Sequence, residues 1–270
     1  MRYGWWFPRD DLEDGEELIG LHDLFWRRYL DGTGDAEDAS LAWTSEATGL
    51  ILGADGMFDD RRDAGEQLAR ALADYKGKSV IVLAIPRGGV EVGYQVARAL
   101  DAGFSLVIVR KLPFPDNPEA GFGAIAEDGS ASIIKWAAYG LSRDTIERVV
   151  KFQQEEIRRR IQVLRRGDSL PGLTGRTVIL ADDGIAMGST MRAAIKLCEN
   201  QGASRIVVAV PVAGERVARE IGALVDEIVV LEKPPFFRAV AQVYRNWYDV
   251  SDREVLRIME AWRGERSAGT

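Results

Sequence analysis

From about residue 59 onward, the chain alternates short apolar runs with amphipathic segments of helical spacing. The runs "SVIVLAI", "RTVILAD", "SRIVVAVPV" and "DEIVVLE" are continuous, which is typical of strands buried on both faces of a sheet. Segments such as "DDRRDAGEQLARALADY" lie between them and place apolar residues along one helical face. This alternation predicts an α/β fold, a doubly wound and mostly parallel sheet covered by helices on both faces. In such sheets, ligands bind at the carboxyl ends of the strands.

The first 58 residues differ in composition from the rest of the chain. Residues 1–58 hold 13 acidic residues against four arginines, and they carry four of the seven tryptophans. So many aromatic residues argue against plain disorder. We predict an acidic, Trp-rich extension (1–58) that packs on a core domain (59–232), followed by a C-terminal tail (233–270). The alternative for the extension is a lid or a partner-docking element. The extension, the tail or both could form a hood over the site, and the tail aromatics are Phe236, Phe237, Tyr244 and Trp247.

Composition excludes several classes of protein. The net charge of −7 argues against non-specific nucleic-acid binding. The single Cys198 excludes an internal disulfide and a cysteine metal cluster, and the single His22 excludes a histidine-rich metal site. We expect Cys198 to be a buried small hydrophobe. The apolar runs are too short for a membrane span, and the N-terminus lacks the apolar core of a signal peptide, so we expect a cytoplasmic protein.

A predicted strand and a predicted loop follow the second helix of the core. The run "FSLVIVRKL" predicts one strand that ends at Arg110 and Lys111. The next residues, 112–130, contain three prolines and three glycines and predict a long flexible loop that closes over the site. The two cations could therefore contact a polyanion as the loop closes. The alternative is that they only mark the exit of the strand into solvent.

A long amphipathic helix is predicted after this loop, with Ser142 as its N-cap. The run Arg158–Arg160 resembles an anion site at first sight. However, Glu155 and Glu156 precede Arg159 and Arg160 by four residues, the spacing of helical ion pairs. We interpret this run as a solvated face.

Two strand ends carry residues suited to binding anions. In "IPRGGV", Arg87, Gly88 and Gly89 end a strand and open a helix, which lets backbone N–H groups approach an anion. A tight connection without a ligand is the alternative. In "VILADDGIAMGST", Asp182 and Asp183 precede a loop of glycines and hydroxyls whose N–H groups should converge on a phosphate.

The second of these loops matches neither a Walker A loop nor the dinucleotide fingerprint. A sugar phosphate would fit both halves of it, because sugar hydroxyls donate to carboxylates while the phosphate binds the loop. The alternative is that Asp182 caps the helix and Asp183 forms an Asx turn.

The stretch "VILADDGIAMGST" resembles the phosphoribosyl-pyrophosphate (PRPP) signature of type I phosphoribosyltransferases. The resemblance extends over about 59–232, and "IPRGGV" resembles the pyrophosphate loop of that family. The segments "VRKL…GFGAIAEDG" and "PFFRAVAQVYRNWYDVSDREV" resemble a subgroup of predicted phosphoribosyltransferases whose acceptor is unknown. Residues 1–58 resemble no family that we can place.

The resemblance implies a transferase of nucleotide metabolism that moves the 5-phosphoribosyl group from PRPP to a nitrogenous small molecule and releases pyrophosphate. Asp182 and Asp183 would bind the ribose hydroxyls and stabilise positive charge at C1. Mg²⁺ would be held mainly by PRPP and water, without protein ligands. The implied 5′-phosphate site is Gly184, Ile185, Ala186, Met187, Gly188, Ser189 and Thr190. The implied pyrophosphate site is Arg87, Gly88, Gly89, Arg110 and Lys111, with Lys111 also catalytic.

The resemblance also bears on the acceptor and on alternative functions. In the 6-oxopurine enzymes of this fold an aspartate acts as base at the position of Ala186, so hypoxanthine and guanine are disfavoured here. Glu127 is then the candidate general base. One alternative is a regulator that senses PRPP or a nucleotide without transferase activity. A third reading is a hydrolase or phosphorylase acting on nucleotides. Family habit implies a homodimer.

Overall fold

The computed structural model describes residues 57–267. The predictions for the acidic extension, including its tryptophans and His22, lie outside these residues apart from its last two positions. Within the described part, the elements follow in this order: α1 (Arg61–Ala71), β1 (Val80–Ala84), α2 (Gly89–Leu100), β2 (Gly103–Leu106), β3 (Val109–Phe114), β4 (Asn117–Ala126), β5 (Ala131–Ile133), α3 (Lys135–Ala138), α4 (Arg143–Arg165), β6 (Thr177–Ala181), α5 (Ser189–Asn200), β7 (Arg205–Val212), α6 (Glu215–Gly222), β8 (Glu227–Glu232) and α7 (Asp252–Ser267).

Five strands form a parallel sheet in the order β2-β1-β6-β7-β8. Chain order reverses between β1 and β6, which is the type of position where such sheets bind ligands. In the register of the sheet, Ala84 pairs with Ala181, and Ala181 pairs with Ala209. The carboxyl ends of β1 and β6 are therefore level, and the loops that follow them begin side by side. The predicted parallel α/β architecture is confirmed.

Alternate residues of each central strand enter two separate apolar clusters, one on each face of the sheet. Val82 and Ile179 pack with residues of α1, α2, α4 and α7. Ile81 and Val178 pack with residues of α5 and α6 on the opposite face. Both faces are thus covered by helices, which explains why the strands read as continuous apolar runs. Cys198 of α5 is fully buried, as predicted.

The single strand predicted for "FSLVIVRKL" is wrong. Its first half is β2 of the parallel sheet, and the chain leaves that sheet at residues 107–108. Its second half is β3, which pairs with β4 in a separate antiparallel sheet of order β3-β4-β5. Arg110 and Lys111 therefore lie within β3, not at the end of a strand of the parallel sheet. A continuous apolar run is compatible with a strand in either sheet. The hydrophobicity of the sequence therefore does not show where β2 ends and β3 begins.

The flexible loop predicted for 112–130 is also wrong, because most of it is a β-hairpin. The strand β4 runs through Asn117–Ala126 and pairs with both β3 and β5. Its glycines allow close packing: a Cβ at Gly123 would stand 2.4 Å from the carbonyl oxygen of Ser132. Pro113 lies at a register shift between β3 and β4, where one ladder hydrogen bond is dispensable. Proline and glycine here mark bulges and close strand contacts.

The long helix predicted after this region is confirmed as α4. The Ser142 side chain accepts a hydrogen bond from the backbone N–H of Thr145, the expected N-cap. Ile157 and Leu164 are buried against the core. No helix within residues 57–267 is long and apolar enough to cross a membrane.

The C-terminal tail packs over the carboxyl ends of the parallel strands. Phe58 donates its backbone N–H to Val243 and its ring packs against Tyr244. Both rings join Val212 of β7 in one buried cluster. Phe58 therefore belongs with the core and not with the extension predicted for residues 1–58. The tail thus contacts the carboxyl edge of the sheet, and its role as a hood stays a prediction.

Candidate active site

Asp182 and Asp183 follow β6 directly and lie at the topological switch point of the sheet. Asp182 accepts the backbone N–H of Asp183 at 2.9 Å. The turn after β1 packs against both acids: an ideal Cβ would stand 1.9 Å from Asp183 Oδ2 at Gly88, and 2.7 Å from Asp182 Cα at Gly89. Only glycine permits this approach. The structure thus brings the two predicted loops, "IPRGGV" and "DDGIAMGST", into contact.

The acid pair has unusual electrostatics. Burial raises the pKa of Asp182 well above its usual value, and the charge of Asp183 raises it further. Burial also raises the pKa of Asp183, but the charge and hydrogen bond of Arg61 oppose that rise. Of the two carboxyls, Asp183 is therefore the one that ionises more readily, because Arg61 lies beside it.

Arg61 is a residue of the site that sequence reasoning missed. It lies in the first turn of α1, and its Nε donates to Asp183 Oδ2 at 2.8 Å. The Arg61 side chain is 5% exposed and that of Asp183 is 13% exposed, so this ion pair is largely removed from water. The two residues are far apart in the chain, and Arg61 stands in a helical segment with an ordinary charge pattern. We find no signal in the sequence that distinguishes it from Arg62.

The tail supplies a second group to the acid pair. The Tyr244 hydroxyl donates to the backbone carbonyl of Asp183 at 2.7 Å, and burial raises its pKa far above the usual value. The guanidinium of Arg61 lies 3.9 Å from the centre of the Trp247 ring. Trp247 and the exposed Phe236 and Tyr248 present aromatic surface on this segment. The tail therefore contributes both buried aromatic side chains and exposed aromatic surface, and its role as a hood stays a prediction.

The loop between β6 and α5 is fixed at one point and open elsewhere. Ile185 is buried and donates its N–H to the carbonyl of Val212, so that N–H is taken. Among the described residues, no protein acceptor receives a hydrogen bond from the backbone N–H groups of 186–188. Gly188 adopts a φ of +79°, which favours glycine and turns the loop into the helix. Ala186 and Met187 are exposed. The loop is built to offer N–H groups to an anion at the N-terminus of α5.

The purely structural alternative for the acid pair does not match this geometry. The N-cap of α5 is Gly188, and no side chain caps the helix. One oxygen of Asp182 accepts a hydrogen bond from the adjacent N–H of Asp183, and the Asp183 carboxylate accepts one from Arg61. Neither aspartate therefore serves as the helix cap.

The turn after β1 contains Arg87, which lies between a cis Pro86–Arg87 peptide and the N-cap Gly88 of α2. Its guanidinium is partly exposed, and Nη1 lies 3.9 Å from Oδ1 of Asp252 at the start of α7. This contact is too long for a hydrogen bond. Arg87 thus keeps accessible donors in the turn whose next residue, Gly88, packs against Asp183.

Arg110 belongs to a group of cations that includes Arg160 and Arg87. Its Nε donates to the buried Gln153 of α4 at 3.1 Å. Burial lowers the pKa of Arg110, and the nearby charges of Arg160 and Arg87 lower it further. Arg160 is 12% exposed and donates to Glu156, whose pKa this pairing with Arg159 and Arg160 lowers to about 2.

The interpretation of Arg158–Arg160 as a solvated face is therefore wrong for Arg160. Because of the helical spacing, Arg160 lies on the same face of α4 as Gln153, and this face is directed toward β3. The predicted ion pair between Arg160 and Glu156 is confirmed, while Arg159 pairs with Glu156 at three residues' distance.

Glu127 and Lys111 occupy different environments. The Glu127 carboxylate accepts the Ile108 N–H at 2.9 Å and two donors of Arg165 at 2.9 and 2.5 Å, and it is nearly buried. These hydrogen bonds hold Glu127 against the segment where the chain leaves the parallel sheet. Glu127 as general base stays a prediction, but its carboxylate is engaged in a buried ion pair. Lys111 is exposed on β3, and its side chain packs alongside Gly121 of β4.

The parallel sheet, with the acid pair and the two glycine-containing loops at its switch point, defines an α/β domain of the doubly wound class. The family model described as "Phosphoribosyl transferase domain" matches residues 57–246, and the chain belongs to this family.

Similar proteins agree with this assignment. Two proteins of Mycobacterium tuberculosis, from strains CDC 1551 / Oshkosh and ATCC 25618 / H37Rv, bear the name "Putative phosphoribosyl transferase" and are 42% identical over 206 residues, or 76% of this chain. The chain spans about half the length of these curated relatives, 46%. The crystal structure of TT1426 from Thermus thermophilus is 38% identical, with a TM-score of 0.65, and the match covers 76% of this chain and 98% of that one.

Proposed function

We propose that the protein is a Mg²⁺-dependent phosphoribosyltransferase, which moves the 5-phosphoribosyl group from PRPP to a small nitrogenous acceptor and releases pyrophosphate. The observation that carries this proposal is the placement of the buried acid pair. Asp182 and Asp183 lie between the open loop that follows them and the turn at Gly88 and Gly89. A sugar with phosphate groups at both ends would place its hydroxyls on the acids and one phosphate on each loop.

The loop after β6 would bind the 5′-phosphate. The N–H groups from Ala186 to Thr190 are the donors, aided by the hydroxyls of Ser189 and Thr190 and by the N-terminus of α5. Ile185 would take part only by fixing the loop, because its N–H is bound to Val212. Gly184 would serve in the same way, since a Cβ there would stand 2.7 Å from side-chain atoms of Val212 and Val240.

The arginines around the turn after β1 would bind the pyrophosphate. Arg87 and Arg110 were proposed from the sequence, and we add Arg160 because it lies close enough to lower the pKa of Arg110. Like charges that are partly buried together repel each other, and an anion between them relieves that repulsion. Lys111 stays the candidate for leaving-group neutralisation from β3.

Mg²⁺ prefers oxygen ligands and commonly keeps substrate phosphates and water as its ligands. Among the described residues, no group of three or more His, Cys, Asp or Glu side chains could hold a metal. The ion of this proposal would be bound mainly by PRPP and water and would neutralise pyrophosphate charge when bound. The residues of this chain would orient the sugar and place the Asp183 carboxylate near C1, where positive charge develops as the bond to pyrophosphate breaks.

The acceptor would lie under the tail, against the exposed aromatic surface of Phe236 and Tyr248. Ala186 offers no base, so a 6-oxopurine acceptor is disfavoured. A homodimer stays a proposal, and the strongly exposed Phe152 on α4 is compatible with one.

A regulator that senses PRPP or a nucleotide is the second candidate. The observation that favours it is the engagement of Glu127 with Arg165, which leaves the candidate base without a free oxygen pointing at a substrate. Binding without turnover would distinguish this regulator from the transferase.

The test begins with thermal shifts upon adding Mg²⁺–PRPP, followed by pyrophosphate release with a panel of nitrogenous bases. The variant Arg110→Gln should weaken binding, whereas Arg143→Gln, an exposed arginine paired with Glu147 on the same long helix as Gln153, should not. A shift with release supports the transferase, and a shift without release for any base supports the regulator. No shift with PRPP would overturn both.

A further inference from the structure

Arg61 is a buried cation that the assignment of sugar and phosphate sites does not use. Its Nε donates to Asp183 Oδ2 at 2.8 Å, and its Nη1 donates to the backbone carbonyl of Tyr248 at 2.9 Å. The guanidinium carbon lies 3.9 Å from the centre of the Trp247 ring. A planar guanidinium held by two hydrogen bonds and one ring has a single orientation. Asp183 therefore meets a fixed donor.

Asp183 is surrounded by the turn after β1, the loop after β6, the tail and the helix α1. The turn after β1 brings Gly88, which has no side chain and leaves the carboxylate room. The loop after β6 brings the carboxyl of Asp182, and the tail brings the Tyr244 hydroxyl to the Asp183 carbonyl. The helix α1 brings Arg61, the cation that contacts the Asp183 side chain.

Two adjacent buried carboxyls cannot both ionise at low cost. A cation in contact with one of them decides which member carries the charge. Arg61 contacts Asp183 and opposes the upward pKa shift that burial gives this residue, whereas Asp182 has the larger upward shift. Asp183 is therefore the member of the pair that ionises more readily.

We propose that Arg61 is a positioning residue that keeps Asp183 ionised and oriented as the acceptor for a hydroxyl of a pentose 5-phosphate ligand. This role rests on the proposed function, because it requires that the acid pair bind sugar hydroxyls. An ionised Asp183 accepts hydrogen bonds with both oxygens, and a protonated one loses part of that capacity. Arg61 thereby sets the pH range over which the sugar site is competent.

The direction of the pH effect follows from the charge. Binding requires ionised Asp183, so affinity is lost as the pH falls through the pKa of Asp183. Removing the Arg61 charge raises that pKa and moves the loss of affinity to higher pH. Arg61→Met retains an unbranched side chain against Trp247, whereas Arg61→Lys retains the charge.

The experiment measures Mg²⁺–PRPP affinity by calorimetry from acidic to alkaline pH for the wild type, Arg61→Met, Arg61→Lys and Arg62→Met. Arg62 is the matched control, because it is the adjacent residue and its exposed side chain pairs only across one turn with Glu66. We expect Arg61→Met to shift the pH midpoint upward, Arg61→Lys to restore most of it, and Arg62→Met to match the wild type.

A second measurement needs neither ligand nor a folded Arg61 variant. Carbon-13 NMR of labelled aspartate carboxyls, with Asp183 assigned through Asp183→Asn, follows the titration in the wild type. We expect Asp183 to titrate at lower pH than Asp182.

Two results would overturn the role of Arg61: an Asp183 that titrates at higher pH than Asp182, or an Arg61→Met variant that binds with the wild-type pH profile. Either leaves the proposed function standing if the wild type binds Mg²⁺–PRPP. A wild type that binds no PRPP at any pH refutes the proposed function and this role with it.

Discussion

Gly88 is the position where one added methyl group should do most damage to the site. Its backbone, at φ −59° and ψ −39°, suits alanine, so backbone strain is not the cause. An ideal Cβ would stand 1.9 Å from Oδ2 and 2.5 Å from Cγ of Asp183. Because non-bonded carbon atoms pack at about 3.5–4.0 Å, the Asp183 carboxyl must shift by more than about 1 Å. That shift breaks its hydrogen bond with Arg61.

The magnitude follows from three contributions. Overpacking of a well-packed site costs about 1–3 kcal/mol. Loss of a hydrogen bond between charged groups costs about 1.5–3 kcal/mol. The reduced freedom of the unfolded chain offsets about 0.4–1 kcal/mol of this. The free energy of unfolding should therefore fall by roughly 2–5 kcal/mol, and the melting temperature of a domain of this size by roughly 5–15 °C.

The assay compares Gly88→Ala with Gly140→Ala, since a Cβ at Gly140 meets no atom within 4 Å. Thermal unfolding gives the stability, and calorimetric titration with Mg²⁺–PRPP gives the affinity. We expect Gly140→Ala to match the wild type in both, and Gly88→Ala to lose stability and at least about tenfold in affinity, since each 1.4 kcal/mol is tenfold. If Gly88→Ala melts and binds like the wild type, the close contact between the two loops does not exist in solution.

Two further predictions concern buried groups. A double-mutant cycle of Arg61→Met and Asp183→Asn should give a coupling energy of about 2–4 kcal/mol in urea unfolding, because unlike charges about 4 Å apart at the edge of a protein attract by about 4 kcal/mol. The same cycle on the exposed Arg62–Glu66 pair should give less than about 1 kcal/mol, and equal couplings would contradict the burial of the Arg61 pair. Burial raises the pKa of Cys198 to about 12, so iodoacetamide should label it only after unfolding; rapid labelling of the native protein would show that α5 is not packed as described.

Local sequence patterns predicted the parallel sheet and the acid pair at its edge. Continuous apolar runs identify buried strands because a strand covered on both faces needs apolar residues at every position. The acid pair of Asp182 and Asp183 and the loop after it could be predicted from the sequence for a related reason. A strand, a loop of small residues and a helix are contiguous in the chain, so their chemistry can be assigned without knowing any distant contact.

The predictions that failed depended on contacts between distant residues. The hairpin of β3 and β4 was read as a loop because Pro113 and Gly123 disrupt the local pattern, while their strand partners compensate. The prediction of a single strand over 104–112 also failed. The chain leaves the parallel sheet next to the buried pair of Glu127 and Arg165, and both of these residues lie later in the sequence.

The sequence by itself determined the fold class, the phosphoribosyl transferase family and the two loops that meet at the switch point. Periodicity and a contiguous motif carry that information, since both are properties of neighbouring residues. Only the tertiary structure decided that Arg61 pairs with Asp183, that Arg160 faces Arg110, and that Tyr244 reaches the acid pair from the tail. These contacts join residues from distant parts of the chain, and the charge state of a buried carboxyl depends on such neighbours and on its removal from water.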